Sequence, residues 1–121
     1  VTPGAFDSAC RSLPGVTHVV QWGASDVYKV GGRIFAVVSA GGLSLKVSDI
    51  AYEALIETGA ARPAPYLARA KWVRFDHLAE LEDEEVVGWI AQAHGLIAAK
   101  LTRAQRRELG LDSPETPTRR A

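Results

Sequence analysis

VYKVGGRIFAVVSAGGLSLKV, residues 27–47, decides the fold. Two glycine pairs, Gly31-Gly32 and Gly41-Gly42, interrupt runs rich in β-branched and aromatic residues. Two-residue hairpin loops of types I′ and II′ need positive φ, which glycine reaches without a Cβ clash. The stretch therefore reads as three strands of a meander, with residues 33–40 in the centre. With both glycine pairs as loops, Val30 pairs with Arg33, Tyr28 with Phe35, Ala40 with Leu43 and Val38 with Leu45. Side chains alternate with period two, so this register assigns faces. One face carries Val27, Lys29, Ile34, Ala36, Val38, Leu43, Leu45 and Val47. It is nearly all aliphatic and is expected to lie against helices, with Lys29 reaching past the rim. The opposite face carries Tyr28, Val30, Arg33, Phe35, Val37, Ser39, Ser44 and Lys46, a mixture of aromatics, hydroxyls and cations.

Upstream, Thr2-Pro3 supplies an N-cap and a proline for the first turn of a helix. Phe6, Ala9, Cys10 and Leu13 fall at helical spacing before Pro14-Gly15, and Cys10 is expected as a small buried apolar residue. Val16 to Trp22 reads as a first strand, with Val19, Val20 and Trp22 as its apolar residues. Downstream, Ser48 or Asp49 caps a second helix in which Ala51, Ala54, Leu55 and Thr58 share a face before Gly59. Arg62-Pro63-Ala64-Pro65 is a stiff loop. The second half of residues 66–75 alternates as a strand would.

From Asp83, the stripe Val86, Ile90, Ala93, Ile97 and Leu101 marks the longest helix. Acids from Glu82 to Glu85 at its start and Lys100 beyond its end suit the macrodipole. Thr102 and Gln105 form a capping box for a short last helix, ended by Gly110. The element order predicts an α+β fold, a two-layer sandwich in which a mostly antiparallel sheet of about five strands carries helices on one face. Residues 1–112 form one domain on this reading, and 113–121 a flexible tail.

Composition narrows the function classes. The chain has 121 residues, nearly half of them hydrophobic, and its 14 basic and 14 acidic side chains cancel. That is an ordinary globular balance, with no apolar run of membrane-span length. The N-terminal stretch has no secretory pattern and Cys10 is the single cysteine, so the expected location is the cytoplasm. His18, His77 and His94 stand apart without metal-ligand spacing. The glycine pairs lead from strand to strand rather than to a helix N-terminus, so they cradle no phosphate. The acids Glu80, Glu82, Asp83, Glu84 and Glu85 read as a solvated helix start. No catalytic residue, metal or cofactor is expected, and the sequence points away from an enzyme.

The remaining signal is basic and aromatic. Arg62, Arg69, Lys71 and Arg74 run without an intervening acid and are interleaved with Tyr66, Trp72 and Phe75. Cations neutralise phosphates, and aromatic faces stack on exposed bases. The plain alternative is that the aromatics belong to the core and the cations cover a sheet edge. Lys100, Arg103, Arg106 and Arg107 form a further basic run, read as a solvated helix face.

Leu13-Pro14-Gly15 after an opening helix, Trp22-Gly23, Tyr28-Lys29-Val30-Gly31-Gly32-Arg33-Ile34-Phe35-Ala36, Ser44-Leu45-Lys46 and Trp72 together resemble the MmcQ/YjbR family, over about residues 5–109. The resemblance implies an α+β fold like that of secretion chaperones, with a CyaY-like arrangement. It also implies DNA binding, by the likeness of paired hairpin wings to a double-wing motif. Where the family's familiar form carries an Asn-Lys pair and then a histidine around the tryptophan, this chain has Ala68, Arg69 and Lys71, and Val73 follows Trp72. Lys29, Phe35, Lys46 and Trp72 match.

Two function classes follow. The first is a non-enzymatic DNA-binding protein whose Lys29, Arg33, Lys46, Arg69, Lys71 and Arg74 contact phosphates, with Trp72 or Tyr66 as an apolar contact. Such binding would be weak, salt-sensitive and largely independent of sequence. The second is a protein-interaction module that docks a peptide or another copy on the Tyr28/Phe35/Val37 face or on a sheet edge. A small-ligand pocket near Trp22 and Trp72 ranks third.

Overall fold

The computed structural model describes residues 1–65 and 70–111. Helix α1 (Pro3–Arg11) leads into strands β1 (Val16–Gln21), β2 (Ser25–Val30), β3 (Arg33–Ser39) and β4 (Gly42–Lys46). Helix α2 (Asp49–Thr58) follows, then β5 (Arg62–Pro63), β6 (Trp72–Phe75), a 3-10 turn (Leu78–Glu80), α3 (Asp83–Ala98) and α4 (Arg103–Glu108). The strands form one antiparallel sheet in the order β1-β2-β3-β4-β6-β5. The α+β fold and the meander stand as read. The sixth strand is Arg62–Pro63, expected as loop, which pairs with β6 at Arg74 and Val73. A proline is tolerated there because β5 is an edge strand and needs no outward N–H donor.

The helix ends follow their capping chemistry. Thr2 Oγ1 accepts from Ala5 N, Ser48 Oγ accepts from Ala51 N, and Gly59 closes α2 at φ 78°. The Thr102–Gln105 box is reciprocal, with bonds of 3.1 and 2.9 Å. The stripe Val86, Ile90, Ala93, Ile97 and Leu101 is buried, and so are Phe6 and Cys10 of α1. Burial pushes the Cys10 thiol up to about 12, so it stays protonated and inert. On α2 the buried side is Ala51, Tyr52, Leu55 and Ile56. Ala54 and Thr58, expected beside them, are exposed.

The meander departs from its expected register in two places, and both have a physical cause. The first loop is Gly31-Gly32, as read, with φ of 59° and 82°. A Cβ at Gly31 would also lie 2.7 Å from Leu101 Cδ1, so the loop is sealed against the chain that follows α3. The second loop slides back by one residue. Ser39 pairs with Gly42, and the loop residues are Ala40 (φ 49°) and Gly41 (φ 76°). Gly42 is kept inside β4 because a Cβ there would sit 2.8 Å from the Phe75 carbonyl and inside the Arg74 guanidinium.

Between these loops a bulge changes the side-chain parity. Lys29 pairs with Ile34, but Tyr28 pairs with Ala36, so Phe35 is the extra residue. Past the bulge the β3–β4 faces are as expected, with Ala36, Val38, Leu43 and Leu45 toward the helices. Before it they are reversed. Tyr28, Val30 and Phe35 face the helices, while Val27, Lys29 and Ile34 lie on the opposite side with Val37.

Ring contacts confirm that orientation. Phe6 of α1 meets Tyr28 edge-on at 5.4 Å, and His94 of α3 meets Phe35 at 5.5 Å. Tyr28 and Phe35 are only 3% and 0% exposed, so the Tyr28/Phe35/Val37 face is not available for docking. Phe35, Leu43, Leu45 and Val73 are fully buried, each contributing about 1.5–3 kcal/mol relative to exposure. His94 is buried by design of its neighbours: its Nε2–H donates to the Pro14 carbonyl at 2.8 Å, fastening the α1–β1 connection to α3.

Candidate functional site

Helices α1, α2 and α3 pack against one side of the sheet; the other side carries no helix, although Val27, Ser44 and Trp72 on it are buried. Its side chains come from Val27 and Lys29 of β2, Ile34, Val37 and Ser39 of β3, Ser44 and Lys46 of β4, and Trp72 and Arg74 of β6. Between the β1–β2 turn and the 62–65 segment this face dips into a groove of about 720 Å³. Trp22, Ile34, Val37, Trp72 and Arg74 line it, together with Ser25, Ser39, Ser44 and Arg62, Ala64 and Pro65.

The two tryptophans hold different positions. Trp72 is 6% exposed and forms part of the floor. Trp22 is 66% exposed, outside the first strand and in the three-residue turn that joins β1 to β2. Its φ of 48° is a left-handed conformation that costs a bulky L-residue about 1–2 kcal/mol. A large aromatic is thus kept in a strained, solvent-facing place at the groove rim.

Arg74 is committed to structure. Its side chain donates to the Ser39 carbonyl at 2.9 Å and to Asp76 Oδ1 at 3.2 Å, and is mostly buried. Arg62 holds the same carboxylate from Nε at 2.9 and 3.0 Å. Hydrogen bonds from Arg62 first, then Arg74, keep the Asp76 carboxyl below its ordinary range. Both guanidiniums therefore brace the groove wall, and Arg74, expected as a phosphate contact, is engaged by Ser39 and Asp76.

The remaining candidate cations collect elsewhere. Lys29, Arg33 and Lys46 stand where β2 ends, β3 begins and β4 ends, and Lys71 immediately precedes β6. The antiparallel register brings these positions to one end of the sheet. Lys100, expected as part of a solvated helix face, joins them from beyond the C-terminus of α3. Lys46 shows the crowding: burial first, then the charges of Lys100 and Lys71, lower its pKa, with Asp49 opposing. The Lys46 ammonium donates to the Ala70 carbonyl, and Lys71 lies 4.9 Å above the Tyr52 ring. Among the described residues, none of Lys29, Arg33, Lys46, Lys71 and Lys100 forms an ion pair with a carboxylate. Arg69 and Tyr66 lie outside the described residues.

The acids gather at the other end. The Leu78 amide donates to the Gly41 carbonyl at 2.8 Å, which docks the 3-10 turn beside the β3–β4 loop. Glu80, Glu82, Asp83, Glu84 and Glu85 follow and are exposed. The seven residues of β3 separate the two ends by roughly 20 Å. Five of the 14 acids and five of the 14 bases are thus held at opposite ends of the sheet, with Asp49 the acid that acts on Lys46 at the cationic end.

Across the sheet from the groove, His18 and Asp26 (2.8 Å) tie β1 to β2, and the chain Tyr28–Asp7–Arg11 (2.8 Å each) ties α1 to β2. No group of three or more metal-ligating side chains occurs among the described residues. No helix there is long and apolar enough to cross a membrane.

Sequence reasoning missed Trp22 as a turn residue, although the following Gly23 and Ser25 signal a turn. It also missed Lys100 as a neighbour of Lys46, which only the packing of α3 discloses. The model of the YjbR family matches residues 11–96. The crystal structure of Deinococcus radiodurans protein DR2400, whose family-model domain is DUF419, superposes with a TM-score of 0.74 at 27% identity, over 86% of this chain and 84% of that one. None of the curated proteins matches the chain.

Proposed function

The chain belongs to the YjbR family, and on that footing we propose that it is a non-enzymatic nucleic-acid-binding protein that grips phosphates at the cationic end of its sheet. One observation carries the reading: Lys29, Arg33, Lys46, Lys71 and Lys100 share one end without an ion-paired carboxylate among the described residues, although Asp49 lies near Lys46, while the cluster Glu80, Glu82, Asp83, Glu84 and Glu85 occupies the other. Uncompensated ammonium groups gain most from a polyanion, because its arrival releases condensed counterions. The acidic pole repels the same polyanion, so the charge distribution orients the encounter despite zero net charge.

Phosphate contact carries no sequence information, so affinity is expected to be weak, salt-sensitive and largely independent of sequence. Fluorescence anisotropy of a labelled oligonucleotide tests this at several salt concentrations. Lys46→Gln with Lys71→Gln keeps a donor at each position and removes both charges. The double variant is expected to weaken binding and to flatten the salt dependence by about one to two units of log–log slope. Undiminished binding in that variant, or none by the wild type at low salt, contradicts the proposal. A protein partner on the open face is the second reading, favoured by exposed Trp22, and it is the one left standing if the oligonucleotide does not bind at low salt.

A further inference from the structure

We propose that the groove beneath Trp22 takes an unpaired base of a single strand whose phosphates lie on the neighbouring lysines. This rests on the nucleic-acid reading and adds which form of nucleic acid the protein takes. The sheet register makes groove and cations continuous: Lys46 pairs directly with Trp72, and Lys29 with Ile34, so the ammonium groups begin where the groove floor ends. A strand with its phosphates at Lys29 and Lys46 has its base side beside Trp72 and Ile34.

The groove has the chemistry of a base site. Ile34, Val37 and Trp72 give it an apolar floor, and Trp22 supplies an exposed aromatic surface at its rim. Ser25, Ser39 and Ser44 set hydroxyls around that floor, each able to donate or accept at a base edge. Its volume of about 720 Å³ lies within the usual range for ligand sites, roughly 300–1,000 Å³. Stacking on aromatic faces tolerates any base, in keeping with the lack of sequence readout by the lysines. A duplex buries its base faces and offers nothing to Trp22. A peptide added as a strand is held by main-chain bonds at a sheet edge, whereas the floor of this groove is the side-chain face of β3, β4 and β6.

Left-handed Trp22 fits the same purpose. Trp22 and Gly23, at φ 48° and 87°, make the β1–β2 turn, and the indole is exposed at the rim. Left-handed non-glycine residues cluster at ligand sites as well as in turns, and here Lys71 of the cationic end shares that conformation at φ 64°.

The test compares four labelled probes on the intact protein: a short single strand, an abasic strand of equal length, the matching duplex and a mononucleotide. The base-bearing strand is expected to bind about tenfold more tightly than the abasic one, a typical worth of one stacked base. It is also expected to exceed the duplex and the mononucleotide and to quench tryptophan fluorescence. Trp22→Ala should abolish the preference over the abasic strand, and Trp22→Phe should restore most of it. Equal binding of abasic and base-bearing strands overturns the base site and leaves phosphate binding standing. A duplex or mononucleotide that binds as tightly as the strand, or an acidic peptide that binds more tightly, also overturns it. If neither the strands nor the duplex bind, the nucleic-acid reading itself fails.

Discussion

The two faces of this sheet are built from the same strands and spend their side chains differently. Toward the helices, Tyr28, Val30, Phe35, Leu43, Leu45 and Val73 are buried to within a few per cent, and the polar groups among them are paired. Tyr28 donates to Asp7, and His94 to the Pro14 carbonyl. Toward the open side, Ile34 and Val37 are half-buried, Trp22 is exposed and strained, and lysines stand without carboxylates among the described residues. The covered face is satisfied throughout, whereas the open face is satisfied only at Val27, Ser44, Trp72 and Arg74 and leaves its rim and its lysines to solvent. That difference separates what holds the protein together from what it can offer a partner.

Paired substitutions in β3 put the comparison at risk most directly. Phe35→Ala empties a site packed against His94 and should cost about 3–5 kcal/mol in denaturant unfolding. Val37→Ala, two residues away on the open face, should cost about 1 kcal/mol or less. Equal costs would mean that the open face is as much a core as the covered one.

Trp22→Gly is the sharper test, since it should act in the opposite direction. Glycine takes φ 48° without strain, so stability is expected to rise by up to about 1 kcal/mol while binding of a single strand falls. A loss of stability would show that Trp22 is held for packing.

Much of this was legible in the chain. The glycine pairs, the Thr102–Gln105 box and the Val86–Leu101 stripe dictate their elements through local sterics and periodicity, which need no tertiary information. Face assignment before Phe35 was not legible, because one bulged residue reverses parity and nothing local in Arg33-Ile34-Phe35-Ala36 announces it. Ala40 in a left-handed conformation was likewise hidden, since its cause is the Arg74 side chain and the Phe75 carbonyl, more than thirty residues away. The cationic residues were legible as types. Their sorting into scaffold (Arg74, with Arg62) and unpaired charge (Lys29, Lys46, Lys71) depends on Asp76, which pairs with the guanidiniums and leaves the lysines alone.

The smallest expected effects lie at acid pH. Asp7 is held below its ordinary carboxyl range first by the Arg11 hydrogen bond, then by Tyr28, and Asp76 first by Arg62. A depressed folded-state pKa means that the unfolded chain binds the proton more readily. The stability these acids contribute is therefore present above about pH 4 and fades as pH falls through the lower folded values. Asp7→Asn and Asp76→Asn should each flatten the stability profile below about pH 4, read as the urea midpoint against pH. An unchanged slope in both variants would mean that neither bond persists in solution.

The most direct measurement is a backbone-amide NMR titration with a short single-stranded oligonucleotide. Shifts are expected at Trp22, Lys29, Ile34, Val37, Lys46 and Trp72, on the open face and at its cationic end, with α1 and the acidic start of α3 unmoved. Shifts confined to the helical side, or none at saturating strand, would contradict the division of the molecule into a satisfied face and a binding face.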